Sequence, residues 1–413
     1  MVWFHVVNYC VLLFMKILFL STFYPPYIGG GVEITLKTLV DCLKLHGHQA
    51  VVLSIGSDKG LHVDEIDGIK VYRAGIRNIY FHFQPTNTTP IHRFLWHVLD
   101  IYNPLMSSYI HDVISTEKPD LVSCHNLTGW SVAAWDSISD HDIPVVQVLH
   151  DLYLLCARST MFKGSAPCSG QCSLCRIMRL PHAKKSKEVS AVVGISKFIL
   201  DRFVRYGYFH DTRLKEVIHN IRDVSRNQLP VHSRKQDGTI IFGFIGTLAP
   251  NKGVEMLLHV FMQGALSHWR LCIAGNGNGR YVSYLKERFQ DSRITFLGYC
   301  KQYDFFSQID ICVVPSLWEE PLGMVVAESL LSGIPVIGSS RGGISEMITE
   351  DVNGKLFDPS IQGNLSSVIR DMADNLLFWK EKTESIRQSG EEFSDVENWV
   401  KSWENLYERL LLK

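Results

Sequence analysis

Apolar runs of strand length alternate with periodic segments of helix length along almost the whole chain, and the alternation occurs in two series. Runs that are apolar throughout are typical of strands buried on both faces of a parallel sheet. The first series predicts strands at 17–21, 50–55, 121–124, 145–149 and 191–194, and the second at 240–245, 269–274, 294–297, 311–315 and 335–338. Helices are predicted between them, for example at 34–46, 253–261 and 324–332. The sequence therefore predicts an α/β protein of two doubly wound, Rossmann-like lobes with a ligand-binding cleft between them.

A polar, turn-rich segment at 223–238 separates the two series and suits a linker. It divides the chain into an N-terminal domain at 15–222 and a C-terminal domain at 223–394. We expect a final helix at 395–413 to pack back on the N-terminal domain. With 413 residues, of which 46% are hydrophobic, the chain is long and apolar enough for two cores.

The net charge, the apolar first residues and the cysteines limit the classes of protein to which the chain can belong. The net charge of -1 argues against nucleic-acid binding, which requires a basic excess. The apolar first twenty residues lack a basic start and a cleavage site, so a signal peptide fits poorly. Two readings stay open: a chain that starts at Met15 with residues 1–14 as an extension, or a membrane-seeking segment. The scattered cysteines indicate a reducing compartment, so we expect a cytoplasmic protein, with contact at the inner membrane face as a further option.

The segment from Pro315 to Gly338 carries the strongest chemical signal. A predicted strand ends at Pro315, an acidic loop follows, and a helix opens near Gly323. Free amides at a helix N-terminus bind anions such as a diphosphate. Glu320 and Glu328 are eight residues apart and can face one cleft, and a carboxylate in the helix can accept both hydroxyls of a ribose. Alternatively, both acids are solvated side chains near a helix start.

Four cysteines lie close together in a turn-rich insertion at 156–180: Cys156, Cys168, Cys172 and Cys175. Four thiolates at this spacing can bind one Zn²⁺ tetrahedrally and order the segment. An iron–sulfur cluster and four unrelated thiols are the alternatives. The basic residues that follow, between Arg176 and Lys187, could meet an anionic membrane or a lipid-linked diphosphate, or form a solvated helix face.

Several motifs in order resemble the retaining glycosyltransferases of the GT-B fold, family 4, the sucrose-phosphate-synthase and bacterial polysaccharide group. The segment around Glu320 and Glu328 resembles their Glu-x7-Glu signature. The glycine-rich stretch 25–33, the Gly-His at 47–48, the segment 244–253 and the loop 353–359 match further family motifs. The resemblance spans the chain from about Met15 to the last helix.

The resemblance implies roles for residues of the donor site. Glu320 would contact the sugar hydroxyls and support charge near the anomeric carbon. The amides of Gly323, Met324 and Val325 would hold the diphosphate, and Glu328 would bind the ribose.

Three further positions complete the implied site. Lys252 would pair with the leaving phosphates, and the loop with Gly30 and Gly31 would abut them. His150, at the end of a predicted strand, would lie near the reactive face of the sugar as a second catalytic residue, and His125-Asn126 could line the acceptor side.

One position departs from the family pattern, because Thr247 stands where an arginine is usual. Arg280 or Arg341 would have to replace that cation, or the amides would carry more of the phosphate charge.

The predicted function is transfer of a sugar from a UDP- or GDP-linked donor to a glycan or lipid-linked acceptor, with retention, in cell-surface polysaccharide assembly. The donor-side motifs carry no Asp-x-Asp pair, so we expect no free metal ion at the diphosphate. An NAD-dependent oxidoreductase is disfavoured, because the glycines at 275–279 lack the dinucleotide fingerprint. A non-catalytic module that binds nucleotide sugars or glycans is the alternative, and donor turnover would distinguish the two.

Overall fold

The computed structural model describes residues 14–83, 88–222, 238–264 and 266–412. Nearly all of the predicted extension at 1–14 and of the predicted linker at 223–238 therefore lies outside the described residues. Within the described part, the ten predicted strands are all present, and their ends differ from the prediction by at most one residue. The predicted α/β class with two doubly wound sheets is confirmed.

Eight strands form the first sheet, in the order β10-β9-β6-β5-β1-β2-β4-β3, and β7 and β8 form a separate hairpin. The ten strands are β1 Lys16–Leu20, β2 Gln49–Gly56, β3 Leu61–Ile66, β4 Ile69–Gly75, β5 Leu121–Cys124, β6 Val145–Leu149, β7 Phe162–Lys163, β8 Ala166–Pro167, β9 Ala191–Gly194 and β10 Leu214–Val217. β1 pairs in parallel with β2 and β5, whereas β3 runs antiparallel to β4. The sequence analysis did not predict the β3–β4 hairpin, whose outer strand is largely exposed.

Seven helices accompany these strands: α1 Gly31–Leu45, α2 Pro90–Leu99, α3 Ser107–Glu117, α4 Ala133–Ser139, α5 Ser173–Met178, α6 Leu180–Lys185 and α7 Lys197–Arg205. The first shows why they form. Leu36, Leu39 and Leu43 recur at helical spacing on the buried side of α1, and the Glu33 side chain accepts a hydrogen bond from the Gly30 amide at its start.

Six parallel strands form the second sheet, in the order β13-β12-β11-β14-β15-β16. They are β11 Ile240–Ile245, β12 Trp269–Ala274, β13 Ile294–Gly298, β14 Ile311–Val314, β15 Val336–Ser339 and β16 Gly354–Phe357. Numbered from β11, this is the strand order 3-2-1-4-5-6 of dinucleotide-binding folds, and the order reverses between β11 and β14. Ligands of such sheets bind at the carboxyl ends of the strands beside this switch point.

In the described residues, the helices that surround the second sheet or follow it are α8 Val254–Gly264, α9 Gly279–Arg288, α10 Gln302–Phe306, α11 Met324–Leu331, α12 Ile344–Met347, α13 Asn364–Asp374, α14 Leu376–Glu381, α15 Thr383–Gly390 and α16 Val396–Leu411. Phe242 on β11 packs its ring against Trp269 and Phe261, with ring centroids 5.3 and 6.4 Å away. These aromatic contacts fill the layer between β11, β12 and α8.

The chain divides into two compact units. The first contains Met1–Gln147, Glu188–Ala191 and Val400–Lys413, and the second contains Val148–Lys187 and Val192–Trp399. In the first unit, α16 contacts β5 and the loop between α1 and β2: the Tyr407 hydroxyl donates to Ser123 Oγ at 3.2 Å, and Glu404 lies 2.8 Å from His46 and 3.0 Å from His48. The second unit contains the acidic loop, the cysteine-rich insertion and His150.

Candidate active site

The acid and the lysine of the predicted donor site follow two neighbouring strands of the second sheet. Lys252 lies in a 3-10 turn, Pro250–Lys252, after β11, and Glu320 lies in the loop after β14. These are the strands between which the strand order reverses. The fold therefore brings the two residues, 68 positions apart in sequence, to the edge of the sheet where ligands bind.

Glu320 is buried, and the side chains of Lys252 and Ser316 contact its carboxylate. Its Oε1 lies 2.5 Å from Lys252 Nζ and accepts a hydrogen bond of 2.6 Å from Ser316 Oγ. Lys252 Nζ in turn lies over the Trp318 ring, 5.1 Å from its centroid. Burial would raise the pKa of Glu320, but the charge of Lys252 and the hydrogen bonds outweigh burial and lower this pKa below its usual value. The carboxylate is therefore ionised at neutral pH.

The loop that carries Glu320 is fixed by the loop after β15. The Gly342 amide donates to Glu319 Oε2, and the Gly343 amide donates to the Glu320 carbonyl, both at 2.8 Å. Gly342 has a φ of +61°, and a Cβ there would lie 2.0 Å from the Glu320 carbonyl oxygen. Only glycine permits this close approach of the two backbones.

Helix α11 begins directly after the acidic loop. Gly323, with a φ of +96°, turns the chain into the helix, so that Met324 and Val325 form its first turn. Amides of a first turn have no carbonyl partner within their own helix and carry its positive dipole end. Together with Lys252, these amides can bind the oxygens of a diphosphate.

Glu328 lies in the second turn of α11 and is buried. Its Oε1 lies 2.7 Å from Nε of Arg222. A carboxylate has two oxygens that accept hydrogen bonds, so the arginine engages one of them and leaves Oε2 as a further acceptor.

His150 follows β6 directly and is buried. Burial lowers its pKa to about 3, because the charged imidazolium loses hydration. The ring is therefore neutral at physiological pH, and it can donate or accept a hydrogen bond but does not supply a positive charge.

The glycine-rich loop belongs to the first unit. The Gly30 amide donates to Glu33 Oε2 at 2.9 Å, and Gly31 is the first residue of α1. The carboxyl of Glu33 thus engages one amide of the loop that the resemblance places against the donor phosphates. Burial raises the pKa of Glu33, against the hydrogen bonds from its own amide and those of Gly30 and Gly29.

The predicted zinc site finds no support in the described residues and stays a prediction. In the parts of the chain that the structure describes, no group of three or more His, Cys, Asp or Glu side chains could hold a metal ion. Cys156, Cys168, Cys172 and Cys175 are free thiols. The sulfurs of Cys156 and Cys175 lie 3.7 Å apart as a hydrogen-bonded pair, and the Arg158 amide also donates to Cys156. These contacts connect the thiols to one another and to the backbone.

Two arginines were considered as replacements for the cation missing at Thr247. Arg341 lies 3.7 Å from Glu319 and 3.5 Å from Asp358, where it neutralises two acids of neighbouring loops. Arg280 is exposed in the first turn of α9.

The sequence analysis missed three contributors: Ser316, Glu319 and Arg222. Ser316 could have been suspected, because it lies four residues before Glu320 at the end of a strand. Glu319 was overlooked because it adjoins Glu320, to which the sequence analysis gave the role. No sequence pattern points to Arg222, because the residue that it contacts, Glu328, is 106 positions away in the chain.

Two doubly wound sheets, the second with an acid–lysine pair at its switch point, define the GT-B architecture. Residues 29–226 match the family model described as Glycosyltransferase Family 4, and residues 225–393 match the model described as Glycosyl transferases group 1. The two matches adjoin each other and leave only the ends of the chain uncovered. The protein is therefore a glycosyltransferase of the GT-B class.

Two curated relatives are similar to this chain in sequence. An uncharacterized 42.6 kDa protein in the cps region of Klebsiella pneumoniae is 29% identical over 333 residues, which is 81% of this chain and 87% of the relative. The lipopolysaccharide 1,2-N-acetylglucosaminetransferase of Salmonella typhimurium is 28% identical over 207 residues, 44% of this chain and 53% of the relative.

Solved structures share the fold. Sucrose-phosphate synthase from Thermosynechococcus elongatus superimposes with a TM-score of 0.75 at 15% identity, over 96% of this chain and 99% of that chain. The Anabaena protein HepE in complex with UDP-glucose gives a TM-score of 0.69 at 18% identity, over 96% and 100% of the two chains.

Among the helices that the structure describes, none is both long enough and apolar enough to cross a membrane.

Proposed function

We propose that the protein transfers a sugar from a UDP- or GDP-linked donor to a glycan or lipid-linked oligosaccharide, with retention of the anomeric configuration. The donor site would consist of Lys252, the first-turn amides of α11 and Glu328. HepE, which has the same fold, is described in complex with UDP-glucose, and this supports a nucleotide-sugar donor.

The observation that carries the proposal is the contact between Glu320 and Lys252 at the switch point, 2.5 Å long. Lys252 is a point charge, and with the amides of Met324 and Val325 it would suit a diphosphate whose negative charge grows as the sugar leaves. The carboxylate of Glu320, ionised by the same lysine, suits contact with sugar hydroxyls and support of positive charge at the anomeric carbon.

In the reaction that we propose, the bond between the anomeric carbon and the diphosphate oxygen breaks, and its electron pair stays on that oxygen. The acceptor hydroxyl oxygen forms the new bond from the same face of the sugar. Its proton passes to the leaving phosphate oxygen, so no protein base is required. His150, neutral at the pH of the reaction, would hydrogen-bond the sugar near its reactive face.

The proposed acceptor is supported by the relatives of this chain. The cps region of the Klebsiella relative and the lipopolysaccharide activity named for the Salmonella relative support a role in the assembly of cell-surface polysaccharide. We place this reaction in the cytoplasm, where nucleotide sugars are used.

A peripheral contact with the inner membrane face forms part of the proposal. Leu174, Ile177 and Leu180 are exposed apolar side chains of α5 and α6, interspersed with the basic side chains of Arg176 and the segment 184–187. Apolar and basic side chains together suit an anionic lipid surface. Co-sedimentation with vesicles tests this: binding to phosphatidylglycerol vesicles but not to phosphatidylcholine vesicles is expected, and equal partition would contradict it.

Donor turnover tests the proposed activity. We expect the purified protein to hydrolyse or transfer from at least one UDP- or GDP-sugar, and to be stabilised thermally by the corresponding diphosphate. Stabilisation by a nucleotide sugar without any turnover, with extracts containing glycan acceptors included, would favour the non-catalytic binding module.

A further inference from the structure

The ion pair between Arg222 and Glu328 lies outside every motif that the sequence analysis used. Nε of Arg222 and Oε1 of Glu328 are 2.7 Å apart, and the two side chains are 18% and 9% exposed. A carboxylate this deeply buried is costly to keep ionised without a partner. Arg222 is therefore the cation that pairs with this buried carboxylate.

The backbone around Arg222 holds the guanidinium in place. The Arg222 amide donates to the Phe393 carbonyl at 2.7 Å, and its Nη1 donates to the Ile221 carbonyl at 3.3 Å. Phe393 is itself buried, in a 3-10 turn at Glu391–Phe393. Arg222 is thus anchored at its main chain and at its guanidinium, and little conformational entropy remains to be lost when it orients an acid.

Glu328 is anchored through its helix. Its carbonyl accepts hydrogen bonds from the Ser332 amide at 3.2 Å and from Ser332 Oγ at 2.8 Å. With the backbone fixed and Oε1 engaged, the carboxylate plane is set by Arg222. Glu328 Oε2 then has a defined direction as an acceptor.

We propose that Arg222 is a positioning residue for nucleotide binding, which orients Glu328 so that its carboxylate accepts the hydroxyl groups of the donor ribose. The inference rests on the proposed function and adds a residue to it that the Glu-x7-Glu signature does not contain. Arg222 acts through Glu328 and has no contact with the reacting atoms.

The predicted consequence is specific for the ribose hydroxyls. Calorimetry would measure the dissociation constants of UDP and GDP and of their 2′,3′-dideoxy analogues, for the wild type and for Arg222→Gln. We expect Arg222→Gln to weaken binding of the ribonucleotide about tenfold, the size of one hydrogen bond to a charged group. The dideoxy analogue, which has no hydroxyl for Glu328 to bind, should bind both proteins about equally.

Arg222→Lys keeps a positive charge but not the planar donor, so it should recover only part of the ribonucleotide affinity. With a nucleotide sugar, both variants should raise the donor KM more than they lower kcat, because the contact acts on binding.

A matched control is Arg293→Gln, which breaks an ion pair of 2.6 Å with Asp291 in the same unit and leaves Glu328 untouched. It should leave the preference for ribonucleotide over dideoxynucleotide unchanged. If Arg222→Gln does not fold, as judged from its thermal unfolding, Arg222→Lys carries the test.

Different results would overturn the role of Arg222 and the proposed function. A wild type that binds UDP or GDP, with Arg222 variants that lose ribonucleotide and dideoxynucleotide affinity by the same factor or lose neither, would overturn the role of Arg222 alone. A wild type that binds neither UDP nor GDP would overturn the proposed function and this inference with it.

Discussion

Lys252 Nζ and Glu320 Oε1 lie 2.5 Å apart, in loops that follow the two strands between which the strand order of the second sheet reverses. The lysine keeps the acid ionised despite burial, and the acid holds the lysine at the edge of the sheet where ligands bind. The site therefore holds a negative and a positive side chain side by side. This arrangement suits a reaction in which positive charge develops on a sugar and negative charge on a phosphate.

Glu320→Gln should reduce turnover at least about a hundredfold, because it removes a charge without changing the shape of the side chain. Binding of the nucleoside diphosphate should change little, since we assign that binding to other groups. Turnover and calorimetry on the same preparation measure both. Glu255→Gln, at a half-exposed acid that accepts a hydrogen bond from Tyr284, serves as the control. Near-normal turnover of the Glu320 variant would show that this acid is not catalytic.

Ser316→Ala should shift the acidic limb of the pH–rate profile to higher pH. The Ser316 hydroxyl donates to the ionised carboxylate of Glu320, so its loss disfavours the ionised form and raises the pKa of Glu320. Because the reaction needs ionised Glu320, activity should then be lost at a higher pH as the solution is acidified. An unshifted limb would mean that another group controls it.

Glu328→Ala should weaken binding of the nucleoside diphosphate about tenfold or more through lost ribose hydrogen bonds. The turnover number at saturating donor should fall much less. Steady-state kinetics with the donor varied separates the two parameters. A fall in kcat with an unchanged donor KM would place Glu328 at the reacting sugar instead.

Gly342→Ala should destabilise the protein and impair catalysis together. A Cβ at Gly342 would lie 2.0 Å from the Glu320 carbonyl oxygen, so the acidic loop must move, at a cost of about 3 kcal/mol or more. Gly363→Ala is the matched control: its φ is also positive, +81°, but nothing lies within 4 Å. It should cost about 1–2 kcal/mol and leave turnover unchanged. Equal unfolding midpoints for the two variants would contradict the close approach.

The sequence predicted the sheets well because their strands are continuous apolar runs, which local pattern identifies without tertiary information. It missed the hairpin of β3 and β4, whose outer strand mixes apolar with polar and charged residues, is largely exposed and forms no continuous apolar run. It also located the acidic loop and the start of α11, since a strand, a glycine and a helix are adjacent in the chain there.

Partners of the site residues could not be predicted in the same way. The contacts of Glu320 with Lys252 and of Glu328 with Arg222 join residues 68 and 106 positions apart, and they depend on strand order and side-chain direction. The zinc site that the cysteine spacing predicts finds no support in the described residues. The roles of Gly30, Gly31 and His150 towards a donor stay predictions.

The anomeric configuration of the product shows whether transfer proceeds with retention. In the proposed reaction, the second unit stabilises the leaving diphosphate, and no protein base behind the anomeric carbon is required. Proton NMR of the product formed from an α-linked nucleotide sugar should therefore show the small anomeric coupling of an α-linkage for a gluco-configured donor. A β-linked product from the same donor would contradict it.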